Sequence, residues 1–210
     1  MKKASVLIVL FVFPLVAYLF FASGVNNFGR LPILTQKVPE LDNFEGDARL
    51  ENKITILGFL GNNIDGKKGN AFNLNQKIFK RFGKFTDFQM IMVVPKGREK
   101  KVRDLKKELG KLSETDKWHF AFGSEEEIKT FFQALETNIA LDPDLGTPNV
   151  FIIDKERNLR GRTDDEDEGV KYGFNTISVA ELNNKMEDDV KIILAEYRLA
   201  LKKNNANRSN

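Results

Sequence analysis

Apolar and polar positions divide this chain into three regimes. From Ala4 to Ala22, nineteen residues run without a charge. At the helical rise they span about 28 Å, close to the hydrocarbon thickness of a bilayer. Lys2 and Lys3 precede the run, and Asn26, Asn27 and Arg30 follow it. The positive-inside bias then puts the N-terminus in the cytoplasm and the bulk of the chain outside. Ala22-Ser23-Gly24 would serve as a signal-peptidase site, but the length fits a retained signal anchor better. Residues 1–24 are therefore expected to be one transmembrane helix in a cell inner membrane, with the C-terminal domain on the periplasmic side.

The second regime, residues 25–50, has no clear period and reads as a tether and extended lead-in, in which Val38–Leu41 suits an edge segment. The third, residues 51–203, alternates between two periods. Ile54–Leu60 is a short apolar run suited to a buried strand. Gly61–Asn70, with three glycines and three asparagines, reads as a loose surface loop. Leu74, Ile78, Phe82 and Phe85 predict a helix over about 72–85. Phe88–Val94 predicts a strand, and Val102, Leu105, Leu109 and Leu112 a second helix with a basic outer face. Trp118–Phe122 alternates as a strand. Ser124-Glu125-Glu126-Glu127 is a capping box, followed by Ile128, Phe131, Phe132 and Leu135 on one face. Asn149–Asp154 predicts a strand and Leu159–Arg162 the return arm of a hairpin. Ser178-Val179-Ala180-Glu181 opens a last, long helix through Leu182, Met186, Val190, Ile193, Tyr197 and Leu201. Residues 204–210 are a polar tail. Strands separated by helices imply parallel pairing with right-handed crossovers.

Composition narrows the chemistry. No cysteine occurs in the 210 residues, which excludes disulfides, zinc–cysteine sites, iron–sulfur clusters and a lipid-bearing cysteine anchor. The net charge of +3 includes Lys2 and Lys3, so the part beyond the anchor has no basic excess for nucleic acid. Eighteen Phe under a surface with 30% charged residues indicate one well-packed core.

The order of landmarks resembles the SCO (SenC-type) thioredoxin-like family. These landmarks are Ile54-Thr55-Ile56-Leu57-Gly58-Phe59; Trp118 through Phe120 before Gly123-Ser124-Glu125-Glu126-Glu127-Ile128; and Gly146-Thr147-Pro148-Asn149-Val150-Phe151-Ile152-Ile153-Asp154. The likeness covers most of residues 38–165. It implies an α/β thioredoxin-like three-layer sandwich with a central mixed sheet, one inserted helix–strand unit and one N-terminal span. It also implies copper delivery to cytochrome oxidase, carried by a Cys-x-x-x-Cys pair and a histidine. Those positions fall here at about Asn62, Gly66 and Gly146. Copper(I) needs soft or imidazole ligands, and disulfide exchange needs a thiolate, so this chain is a degenerate member of the pattern. The resemblance further implies a cis bond at Thr147–Pro148, facing the site.

Other candidates are weaker. Gly66-Lys67-Lys68-Gly69 has the elements of an anion cradle at a helix N-terminus, without P-loop spacing. Asp164, Asp165, Asp167 and Glu168 are oxygen donors for a hard cation, without EF-hand spacing. His119 is the only histidine, and one imidazole without cysteine makes a poor metal site. The basic residues of 96–111 suit either anionic lipid headgroups or an ordinary salt-bridged surface. No catalytic residue set and no cofactor is expected.

Three functions follow. The favoured one is a membrane-anchored, non-catalytic module that binds or assembles envelope proteins. The second, implied by the resemblance, is SCO-type copper delivery and oxidase assembly. The third is a hard-metal or anion-binding module.

Overall fold

The computed structural model of the chain describes residues 11–16 and 29–208. Residues 11–16 are helical, and the rest of the expected anchor lies outside the described residues. Among the described residues no helix is long and apolar enough to cross a membrane.

Among the described residues nine strands follow in order: β1 (Ile33–Thr35), β2 (Ile54–Leu60), β3 (Phe88–Pro95), β4 (Trp118–Gly123), β5 (Gly146–Ile153), β6 (Leu159–Arg160), β7 (Arg162–Asp165), β8 (Gly169–Lys171) and β9 (Phe174–Asn175). The main sheet runs β1-β6-β5-β2-β3-β4, with β9 also on β5, while β7 and β8 form a separate hairpin. Strands β2, β3 and β4 are parallel, as the alternation predicts. Strand β5 is antiparallel to β2, and β6 and β1 continue antiparallel. The sheet is therefore mixed.

Four helical stretches cover it. Helix α1 is continuous from Ile64–Leu74 through a π-helical stretch, Asn75–Phe79, to Lys80–Phe82. Helix α2 is Glu99–Gly110 and α3 is Glu125–Gln133. Helix α4 begins at Val179–Glu181, passes through a π-helical stretch at Leu182–Met186 and continues as Glu187–Arg208.

Side-chain parity divides the core in two. On one face Ile54, Ile56, Met90, Met92, Trp118, Phe120, Val150 and Ile152 pack beneath α1, α2 and α4. On the other, Leu57, Phe59, Ile91, Val93, Ala121, Phe151 and Ile153 pack against α3 and the lead-in. Strands covered on both faces carry continuous apolar runs, which is why these segments are legible without strict alternation. Gly58 faces Met92, whose sulfur would lie 2.7 Å from an added Cβ.

Residues 31–50 are a strap within the fold. Leu31, Val38, Leu41, Ala48 and Leu50 are buried. Strand β1 pairs with β6 at one sheet edge, and Glu45 pairs with Phe122 at the other. The edge strand is thus Ile33–Thr35 rather than Val38–Leu41. Glu40 holds the strap's return by accepting from the backbone N–H groups of Leu41, Leu50 and Glu51 at 2.8–3.0 Å. The lead-in thus adds a short strand at the β6 edge and a single bridge at the β4 edge.

Candidate functional site

The site implied by the resemblance lies where β2 runs into α1, and its local structure corrects the sequence expectation. Gly61 turns the chain at φ +65°, and a Cβ there would meet Asp144 O at 2.5 Å. The Asn62 backbone N–H then donates to Asp144 O at 2.7 Å. The Asn63 side chain accepts from Gly66 N at 3.0 Å and caps α1. Ile64 is fully buried. The expected loose loop Gly61–Asn70 is therefore mostly the first two turns of α1. The reason is nonlocal: the cap and the buried Ile64 supply what the glycines lack in helix propensity.

Lysines of the same segment fasten it. Lys67 Nζ lies 3.0 Å and 3.2 Å from the Asp144 carboxylate oxygens and 3.4 Å from Asp142 Oδ2. Only 13% of the Lys67 side chain is exposed. Lys68 reaches Glu108 at 2.9 Å, and Lys101 reaches Asp65 at 2.8 Å, so α1 and α2 are cross-linked. The anion cradle suggested by Gly66–Gly69 is filled by the protein's own carboxylates. Burial pushes the Asp144 carboxyl up, but Lys67 and the N–H groups of Asn63 and Gly146 outweigh it and hold the group below the usual carboxylate range.

Asn62 and Gly146 meet through this turn. Asp142 N donates to Gly146 O at 2.7 Å, and Leu145 N to Asp142 O at 2.9 Å, with Leu145 at φ +67°. A Cβ on Gly146 would lie 2.7 Å from Lys67 Nζ, 2.8 Å from its Cε and 3.0 Å from Leu60 O. The Lys67 stem therefore occupies the space that a side chain at 146 would need. Gly66 faces away into its own cap, where a Cβ would meet Asn63 at 2.6 Å. Asn62 Oδ1 accepts from Arg98 Nε at 3.2 Å. The three positions offer an amide and two glycines, held by ion pairs and hydrogen bonds.

Thr147–Pro148 departs from expectation. No peptide bond among the described residues is cis, so this one is trans. Strand β5 runs unbroken through it, from Gly146 opposite Leu60 to Val150 opposite Gly58. Pro148 O accepts from Thr176 N at 3.0 Å and from Thr176 Oγ1 at 2.6 Å. Strand continuity and these contacts favour the trans form, the ordinary preference of X–Pro.

The remaining candidates are dispersed. Asp165 accepts from Asp167 N and Glu168 N and pairs with Lys185 at 2.7 Å. Asp167 shares Lys185 at 2.6 Å, Glu168 pairs with Lys171, and Asp164 lies on the hairpin's exposed side. Among the described residues no group of three His, Asp or Glu is placed to hold a metal ion. The acidic run instead docks the β7–β8 hairpin on α4, helped by Arg162, which meets both Asp189 oxygens at 2.8 Å. His119 Nδ1 stands 3.5 Å from Asp47, on a partly exposed edge strand. Sequence reasoning missed the Lys67–Asp144 pair because the two residues are 77 positions apart and no local pattern links them.

Solved structures share this architecture. A protein assigned to electron transfer, from Aquifex aeolicus VF5, is similar with a TM-score of 0.52 at 17% identity, over 76% of this chain and 92% of that one. The soluble domain of Sco1 from Bacillus subtilis gives 0.47 at 15% identity, over 79% and 97% of the two chains. An SCO1/SenC family lipoprotein from Bacillus anthracis str. Ames gives 0.46 at 14%, over 76% and 100%. No protein-family model and no curated protein matches the chain. At such identities the likeness establishes the fold: this is an α/β thioredoxin-like protein with a central mixed sheet. Sco structures stand among those it resembles, and its own sequence carries no thiol.

Proposed function

We propose that this chain is an SCO-like thioredoxin-fold protein of the cell envelope that acts by binding other proteins, without thiol or copper chemistry. Its N-terminal apolar run anchors it to the inner membrane, with the folded part on the periplasmic side. The observation that carries the reading is the Lys67–Asp144 ion pair, whose lysine stem lies across Gly146. A pocket meant to receive copper(I) or a disulfide needs soft donors and open space. Here the position holds an ion pair within the chain instead, with the Lys67 side chain 13% exposed. The SCO likeness makes assembly of a respiratory complex the natural setting for such a module.

Two measurements on the full-length protein test this. Copper(I) titration against a chromophoric chelator should leave the metal with the chelator, and tight stoichiometric capture would overturn the reading. A photo-crosslinking residue at Asn62, used in intact cells, should yield a discrete adduct with an envelope protein. The binding role would be lost if no position around Asn62 and Asp144 gave one.

A further inference from the structure

The basic residues of the helical face are segregated, and the structure separates two groups among them. Three lysines in or just before the first turns of α1 and α2 are matched: Lys68 with Glu108, Lys101 with Asp65, Lys96 with Glu45 and Glu127. Toward the opposite ends of the same helices, among the described residues, only Arg81 makes an ion pair, with Glu187. Among the described residues Lys80, Lys84, Arg103, Lys107 and Lys111 make no ion pair, and all are exposed. Lys106 and Lys117 bond only to carbonyls, of Trp118 and of Gly83 and Phe85. Residues 77–84 carry four basic residues and no acidic one, and residues 96–117 carry nine against five, in a chain of net charge +3.

Two shallow hollows open on this end. One, of about 510 Å³, is lined by Arg103, Lys106, Lys107 and Lys111. The other, of about 480 Å³, is lined by Lys80, Lys84 and Lys117 around Leu112, with Glu114 and Asp116 also on its wall. They meet at the consecutive residues Lys111 and Leu112. Leu112 is 49% exposed and Phe85 46%, each just beyond a helix end.

We propose that this end of the molecule, the C-termini of α1 and α2 with Phe85 and Leu112, docks on an anionic lipid bilayer surface. The choice of occupant follows from residue type. Lysine is depleted in protein–protein interfaces, where arginine and clustered aromatics dominate. Here lysines outnumber arginine and surround two single apolar residues, the pattern of interfacial anchoring. Long lysine stems lie along apolar surface while their ammonium groups reach phosphates. Each cation left without a carboxylate gains a partner only when the surface is occupied. The docking goes beyond the protein-binding role proposed above and uses a different end of the fold.

The test uses the full-length protein. Its single tryptophan, Trp118, is fully buried, so an indole introduced as L112W reports separately. The variant is mixed with, or reconstituted into, phosphatidylcholine vesicles with and without phosphatidylglycerol, each carrying brominated acyl chains. Emission from the new indole should be lost with phosphatidylglycerol and return at high salt. It should also return when Lys107→Glu and Lys111→Glu are added, with an unchanged melting transition showing that the fold persists. Quenching that ignores lipid charge and salt overturns the proposal, as does no quenching in either vesicle, which would hand the face to an acidic protein. Carbonate extraction in the same samples reads the anchor independently, so loss of the anchor and loss of the docking are distinguishable.

Discussion

Lys67 Nζ lies 3.0 Å from Asp144 Oδ2, and through this pair the first turn of α1 is held to the turn that precedes β5. The lysine stem also fills the space over Gly146. One side chain thus joins a helix start, a strand start and a glycine that the sequence alone would leave unrelated.

Lys67→Ala should therefore destabilise the protein, and by more than Lys68→Ala, whose side chain is 30% exposed and whose partners Glu108 and Asp65 are more open to solvent. Loss of a charge-assisted, mostly buried contact is expected to cost about 1–2 kcal/mol after discounting for the partial exposure of Asp144. Chemical denaturation of the two variants side by side checks this. Equal effects would count against the pair as a fastening.

The same pair sets an acid dependence. The Asp144 carboxyl is held below its ordinary range in the folded state, so its contribution is full above the unfolded value of about 3.9. It is lost as pH falls through the folded value. Lys67→Ala should flatten the acid side of the stability profile, below about pH 4, because both states then titrate closer together. Parallel profiles for wild type and variant would contradict this.

Gly146→Ala should destabilise by about 1–3 kcal/mol, because the new methyl overlaps the Lys67 terminus and approaches Leu60 O. Removing the lysine relieves part of that overlap. A double-mutant cycle with Lys67→Ala should then show coupling of about 0.5 kcal/mol or more, and strict additivity would refute the contact.

Phe59 and Phe151 are both fully buried and meet edge-to-face, with ring centroids 6.2 Å apart. Either Phe→Ala change should cost about 3–5 kcal/mol, measured by denaturant midpoint at constant m. Ser124→Ala should cost about 0.5–2 kcal/mol, since the capping box predicted for α3 is formed and the change removes the Oγ that accepts from Glu127 N at 3.2 Å.

Local pattern was enough wherever a segment is buried along its whole length or capped by its own neighbours. Strands β2, β3 and β5 were legible because both faces are covered, and α3 because Ser124 and Glu127 satisfy each other. The second box is only half formed: Glu181 receives Asn175 N and Lys171 instead, so its acid was enlisted by residues the pattern could not show. The absence of cysteine, and with it the exclusion of thiol chemistry, needs nothing beyond composition. What tertiary structure alone decided depends on partners far along the chain. Residues 61–70 are helical because Asn63, Ile64 and Asp144 hold them, although three glycines argue for a loop. The lead-in is a strap because its irregularly spaced apolar residues each find a pocket on the sheet. Thr147–Pro148 is trans because β5 continues through it. Periodicity reports burial that repeats along a segment; it is silent on single contacts closed across 77 residues, and the candidate site is made of these.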